Sequence, residues 1–132
     1  MRGYSLAGAE VKRHHAKNVT IVRGASDDPK LPAATLDAVL IVNAYHEMPK
    51  CESMLRHIRE SLKPGGRLVI LDNRPNRTAQ RPREKQTYNH VLSVDLAAAE
   101  VTAAGFTIVT RDDGFLDNPD YEAAHWLIAA QR

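Results

Sequence analysis

Leu36-Asp-Ala-Val-Leu-Ile-Val-Asn-Ala44 and Lys63-Pro-Gly-Gly-Arg-Leu-Val-Ile-Leu71 are the two stretches on which the fold turns. The aliphatic run Val39 to Val42 is unbroken, which predicts a strand buried on both faces, as parallel sheets require, at the centre of the sheet. Between the two stretches, Pro49 suits a first helical turn, and Met54, Leu55, Ile58 and Leu62 recur at three- and four-residue spacing. Proline cannot continue that helix and glycine accepts a left-handed turn, so Lys63-Pro64-Gly65-Gly66 ends it, and Arg67 to Leu71 returns as a second buried strand. Strand, helix, strand is a parallel crossover unit.

Outward from this unit, Leu6 to Lys17 is Ala-rich and suits a short helix. The β-branched run Val19-Thr-Ile-Val22 predicts a strand, closed by Gly24 and the turn residues Ser26-Asp27-Asp28-Pro29. Asn73 to Lys85 is polar, carries five basic groups from Arg74 onward, and reads as a mobile loop. Ser93 can cap a helix whose buried side is Leu96, Val101 and Ala104, with Gly105 as its stop. A strand at Phe106 to Thr110 and a last one at Trp126 to Ala130, antiparallel to its predecessor, complete the pattern. Alternating helices and two-sided strands predict an α/β fold in three layers.

A length of 132 residues predicts a single domain, 1–132. Eighteen Lys and Arg against sixteen Asp and Glu leave a net charge of +2, too small for a whole-surface attraction to nucleic acid. The longest aliphatic stretch, Ala38 to Val42, is far short of the roughly 20 residues that cross a bilayer, so no membrane partner is expected. The single cysteine, Cys51, has no intramolecular disulfide partner, and with no apolar leader before Lys12 a cytoplasmic location is expected.

Leu31-Pro32 with Asp37 to Glu47, then Leu62 to Asp72, then Ala103-Ala-Gly-Phe106 resemble, in order and spacing, the later part of a class I S-adenosylmethionine (SAM)-dependent methyltransferase. The resemblance covers about residues 18 to 130 and implies a truncated Rossmann-like fold, mostly parallel with an antiparallel C-terminal strand. The family begins with a strand and a Gly-rich turn at the SAM methionine moiety, then a helix and a second strand ending in an acid for the ribose. This sequence contains no G-x-G-x-x-G, and the resemblance places its start after those two strands. In the family's sheet they lie between the strands matching Val19 to Val22 and Leu36 to Ala44. Their absence predicts a gap, repaired by the Val19 strand sliding over to the Leu36 strand or by a second copy in a homodimer.

The resemblance implies that Gly24, with Asp27 or Asp28, contacts the adenine, and that Asn43 and Ala44 face the cofactor. A plain Asp-Asp-Pro turn is the other reading of the first group. His46 is the expected general base, because imidazole titrates near neutral pH, with Glu47 orienting it or acting alone. Tyr45, Asp72, Arg74 and His90 are expected around the acceptor. His46 and Tyr45 also suit plain capping of the strand end, and Asp72 or Arg74 a loop cap. No metal is expected: His46-Glu47-Met48-Pro49-Lys50 has the first half of H-E-x-x-H, but Lys50 occupies the second ligand's position. His14, His15, His57 and His125 share no ligand spacing, Cys51 at a helix start reads as packing, and Trp126 reads as core.

The implied function is methyl transfer from SAM to a small-molecule acceptor, through a cofactor pocket completed by dimerisation. Two alternatives stay open: a repurposed fold with a different, for example hydrolytic, activity, and a non-catalytic binding module. No G-x-S-x-G elbow supports a serine hydrolase.

Overall fold

The structure is a computed structural model and describes residues 9–75, 80–115 and 124–132. Its elements are β1 (Leu36–Val42), a 3-10 turn (Tyr45–Glu47), α1 (Cys51–Ser61), β2 (Leu62–Asn73), α2 (Arg83–Tyr88), α3 (Val94–Ala103), β3 (Thr107–Asp112) and β4 (His125–Gln131). Residues 9–13 are helical, inside the span expected for the first helix, whose residues 6–8 lie outside the described residues.

The sheet order is β1-β2-β4-β3. β1 pairs parallel with β2, Ile41 opposite Ile70 and Val42 opposite Leu71, while β4 runs antiparallel between β2 and β3. Three strands therefore point one way and the C-terminal strand alone runs against them. This is the α/β, truncated Rossmann-like arrangement that the resemblance implies.

The Pro-Gly-Gly turn does more than stop a helix. β2 starts directly at Leu62, opposite Leu36, and the register then jumps so that Ala38 faces Arg67. The extra residues are taken up at Gly65, which has φ +79°, and at Gly66, where a Cβ would lie 2.9 Å from the Lys63 carbonyl oxygen. Only glycine fits both demands.

The core lies on one face of the sheet. Met54, Leu55 and Ile58 of α1 and Ala97 and Val101 of α3 cover Leu68, Ile70, Trp126, Ile128 and Ala130. Trp126 is fully buried, and its indole Nε1–H donates to the Leu92 carbonyl at 2.7 Å. Ser93 caps α3 by accepting the Leu96 N–H, and Gly105 follows at φ +97°, both as the sequence predicts.

Four expectations are corrected. β1 is an edge strand rather than the centre, with Leu40 68% and Val42 46% exposed. Among the described residues the fold has two layers rather than three, because α1 and α3 pack on the same face. An aliphatic run says that a strand can be buried twice, and the second cover must come from another element. Val19 to Val22 forms no strand, and both valines are about half exposed. A strand needs a ladder partner to satisfy its N–H and C=O groups, and none reaches this one, so the sliding repair does not occur. Finally, Arg83 to Lys85 belong not to a loop but to α2, which is docked through the buried Gln86. Its Nε2–H donates to the Arg81 carbonyl and its Oε1 accepts the Ser93 N–H, each at 2.7 Å. Residues 76–79 of the expected loop, including Arg77, lie outside the described residues.

A polar clamp ties the helix layer together. Glu100 on α3 accepts the Tyr45 hydroxyl at 2.9 Å, the Arg83 Nε–H at 2.8 Å and the Cys51 thiol at 3.5 Å. Burial, then the Glu100 charge, push the Tyr45 phenol far above its ordinary range, and the same two causes raise the Cys51 thiol. Burial alone would weaken the charge on Arg83, but Glu100 more than offsets it and the guanidinium is held above its ordinary value. No helix among the described residues is long and apolar enough to cross a membrane.

Trp126→Ala should cost about 3–5 kcal/mol in denaturant unfolding, and Val109→Ala, on an exposed position of β3, less than about 1 kcal/mol. At neutral pH, where a raised pKa leaves less thiolate, Cys51 should be alkylated more slowly than a free-thiol peptide; Glu100→Gln should speed the reaction by removing the second cause of the shift.

Candidate functional site

Because β1 and β2 are parallel, their C-terminal ends reach the same rim, which is where open α/β sheets bind ligands. The chain leaves β1 through Asn43, whose backbone is left-handed (φ +52°) and whose N–H donates to the Leu71 carbonyl at 2.8 Å. Asparagine tolerates that conformation better than most residues. This last rung turns the chain into the 3-10 turn, closed by Glu47 N–H to Ala44 O and Met48 N–H to Tyr45 O.

The turn is anchored on Asp72, at the end of β2. Asp72 is fully buried; its carboxylate accepts the backbone N–H groups of His46 and Asn73 and pairs with His46 Nδ1, all at 2.8 Å. A carboxylate only accepts, so Nδ1 carries the hydrogen and Nε2 presents its lone pair away from Asp72. Nε2 lies 3.8 Å from Glu47 Oε1, and His90 Nδ1 lies 3.9 Å from the same oxygen. The two imidazole rings meet edge to face with centroids 5.9 Å apart. His46 is 5% exposed, whereas the Glu47 and His90 side chains are open to solvent.

His46, Glu47, Asp72 and His90, expected at the site, are thus brought together from three parts of the chain. Asn43 and Ala44 lie at the same rim. Tyr45, expected at the acceptor, is fully buried with its hydroxyl on Glu100, so it belongs to the clamp and does not line the site. The cause is the turn itself, which directs neighbouring side chains to opposite sides. Asp72, expected at the acceptor, is likewise fully enclosed, its carboxylate held by His46. Arg74 leaves the rim, its backbone N–H on the Ala124 carbonyl and its guanidinium on the Asp113 carbonyl. Gly24, Asp27 and Asp28 form a tight turn, with Ala25 N–H donating to Asp28 O at 2.7 Å, and Asp28 approaches His57 of α1 at 3.9 Å.

A groove of about 690 Å³ lies elsewhere, between the start of α1 at Lys50 and Cys51 and the end of α3 at Ala103 and Ala104, and none of His46, Glu47 and His90 lines it. The clamp residues Glu100 and Arg83 were not singled out from the sequence. Glu100 had a visible signal: it falls between Ala97 and Val101 on the stripe that the helix buries.

Residues 5–68 match the model of a methyltransferase domain. Over 64 residues the chain is 33% identical to a fatty-acid O-methyltransferase of Mycolicibacterium smegmatis, a match covering 48% of this chain and 23% of that protein. The fold superposes on a SAM-dependent methyltransferase of Aquifex aeolicus with a TM-score of 0.75 and 19% identity, over 97% of this chain and 62% of that one. It also superposes on the [4+2]-cyclase SpnF, with a TM-score of 0.72 and 16% identity, over 96% of this chain and 60% of that one. The chain therefore spans about a quarter of the matched curated relative and less than two thirds of either solved structure. The chain thus resembles a methyltransferase domain over residues 5–68 and shares the fold of a SAM-dependent methyltransferase along nearly its whole length.

Proposed function

We propose that this protein carries the acceptor side of a SAM-dependent methyl transfer to a small molecule, and that two copies together complete the cofactor pocket. The observation that carries the reading is the His46–Asp72 pair at the end of the parallel strands, in a chain that resembles a methyltransferase domain.

The residues present suit one side of the cofactor. Asn43 and Ala44 offer backbone at the rim, and the Gly24–Asp28 turn is a candidate for the adenine. For the methionine side this sequence offers no G-x-G-x-x-G, and among the described residues no strand pairs with the outer edge of β1. A second copy seated on Leu40 and Val42 would cover that edge, which otherwise exposes apolar surface and unpaired backbone. When bound, SAM supplies an electrophilic methyl group.

This chain's residues do the rest. Asp72 fixes the ring and tautomer of His46, so that Nε2 can take a proton from an acceptor O–H or N–H as the nucleophile develops. Glu47, beside Nε2, favours the imidazolium that results. A second reading, a repurposed fold without methyl transfer, draws support from the likeness to a [4+2]-cyclase, whose fold is shared while its named reaction is a cyclisation.

Calorimetric titration with SAM and S-adenosylhomocysteine, at a concentration where light scattering has fixed the oligomer, should give a dimer binding one ligand per chain. No binding of either at millimolar concentration overturns the methyltransferase reading in favour of the repurposed fold. With a hydroxyl acceptor, His46→Ala should lower kcat about 10²–10⁴-fold while leaving SAM affinity unchanged. A carboxylic acid acceptor, already ionised at neutral pH, should hardly notice the same substitution.

A further inference from the structure

We propose that His46 Nε2, Glu47 Oε1 and His90 Nδ1 bind one divalent transition-metal ion of the zinc class. The three donor atoms lie within 4.8 Å of one another. Two imidazoles and one carboxylate leave a tetrahedral ion one open position, the arrangement of reactive rather than purely structural zinc sites.

The buried carboxylate behind His46 carries the argument beyond mere proximity. Metal-ligating histidines characteristically donate their other ring N–H to a carboxylate, which fixes the tautomer and raises the basicity of the ligating nitrogen. Asp72 stands in that relation to His46, 2.8 Å from Nδ1 and fully buried. Ligand bonds of about 2.0–2.1 Å put neighbouring donors about 3.3 Å apart, so the 3.8 and 3.9 Å to Glu47 must close by about half an ångström and the two imidazole nitrogens, within 4.8 Å of each other, by up to about 1.5 Å. His46 is the fixed ligand, 4% exposed in its side chain; Glu47 at 64% and His90 at 75% are free to move inward.

The sequence argued against a metal because Lys50 stands where H-E-x-x-H has its second histidine. That motif needs its ligands on successive turns of one helix, whereas His46 and Glu47 lie on a 3-10 turn before α1. The second imidazole arrives instead from His90, in the left-handed turn (φ +59°) that follows α2. Spacing along the chain could not report it.

The site stands independently of methyl transfer. Should both hold, they exclude each other at one atom, because the metal and the transferred proton compete for the same Nε2 lone pair.

The test is titration of the full chain with Zn²⁺ by calorimetry and with Co²⁺ by visible absorption, without SAM. One ion per chain is expected, with a Co²⁺ spectrum of tetrahedral intensity. His90→Ala and Glu47→Gln, both at exposed positions, should each weaken binding roughly tenfold or more, and Asp72→Asn about 10–100-fold. The double variant His14→Ala/His15→Ala should bind as the parent does. Unchanged affinity in His90→Ala, or loss of the ion in the His14/His15 variant, overturns the site. Since no arm uses SAM, failure here is distinct from failure of the methyltransferase reading.

Discussion

Asp72 is a carboxylate without access to water, and three groups of the protein take the place of its hydration. Burying an ionised carboxylate costs several kcal/mol unless it is paired and fully hydrogen-bonded. Two of its three partners belong to His46, and the third is the next backbone N–H of its own strand. The solvation of one side chain at the end of β2 thereby dictates where the chain leaving β1 must turn. The direction of His46 Nε2 follows from a single electrostatic requirement.

Two polar groups divide the 3-10 turn between them. Tyr45 goes to the helix layer and is held by Glu100, beside Arg83 and Cys51; His46 goes to the rim and is held by Asp72. Consecutive residues are fixed by carboxylates on different elements, α3 and β2, so the turn has little freedom to rotate. That rigidity is what a proton acceptor or metal ligand needs, since misplacement of a reacting group by about 1 Å can cost two orders of magnitude in rate.

Local chemistry was legible where it alone determines structure. The Met54-Leu55-Ile58 stripe, Ser93 as cap and Gly105 as terminator each act within a few residues and hold where they were expected, whereas α1 starts at Cys51, past Pro49, and β2 starts at Leu62, so that Pro-Gly-Gly lies inside the strand rather than before it. Val19 to Val22 failed because strand propensity is only permission to pair, and pairing depends on residues distant in sequence. Leu40 failed for the same kind of reason, because its hydrophobicity cannot state whether a covering helix exists. At the site, His46, Glu47 and Asp72 were visible at the ends of strands. The approach of His90 was not visible as geometry, since it depends on Gln86 docking α2 and thereby setting the turn that follows.

The placement of β4 between β2 and β3 bears on the order of assembly. β3 is synthesised first but has no ladder with β2; it joins the sheet only through β4. As the chain emerges from a ribosome, β1, α1 and β2 can form their crossover early, while β3 must wait unpaired until the residues up to Gln131 arrive. The closing step then does several things at once. It seats Trp126 beneath α3, completes two antiparallel ladders and hides both edges that β2 and β3 had offered each other's neighbours. Until then those edges are open to other nascent chains, so the interval between synthesis of β3 and of β4 is when this fold is most exposed to misassembly.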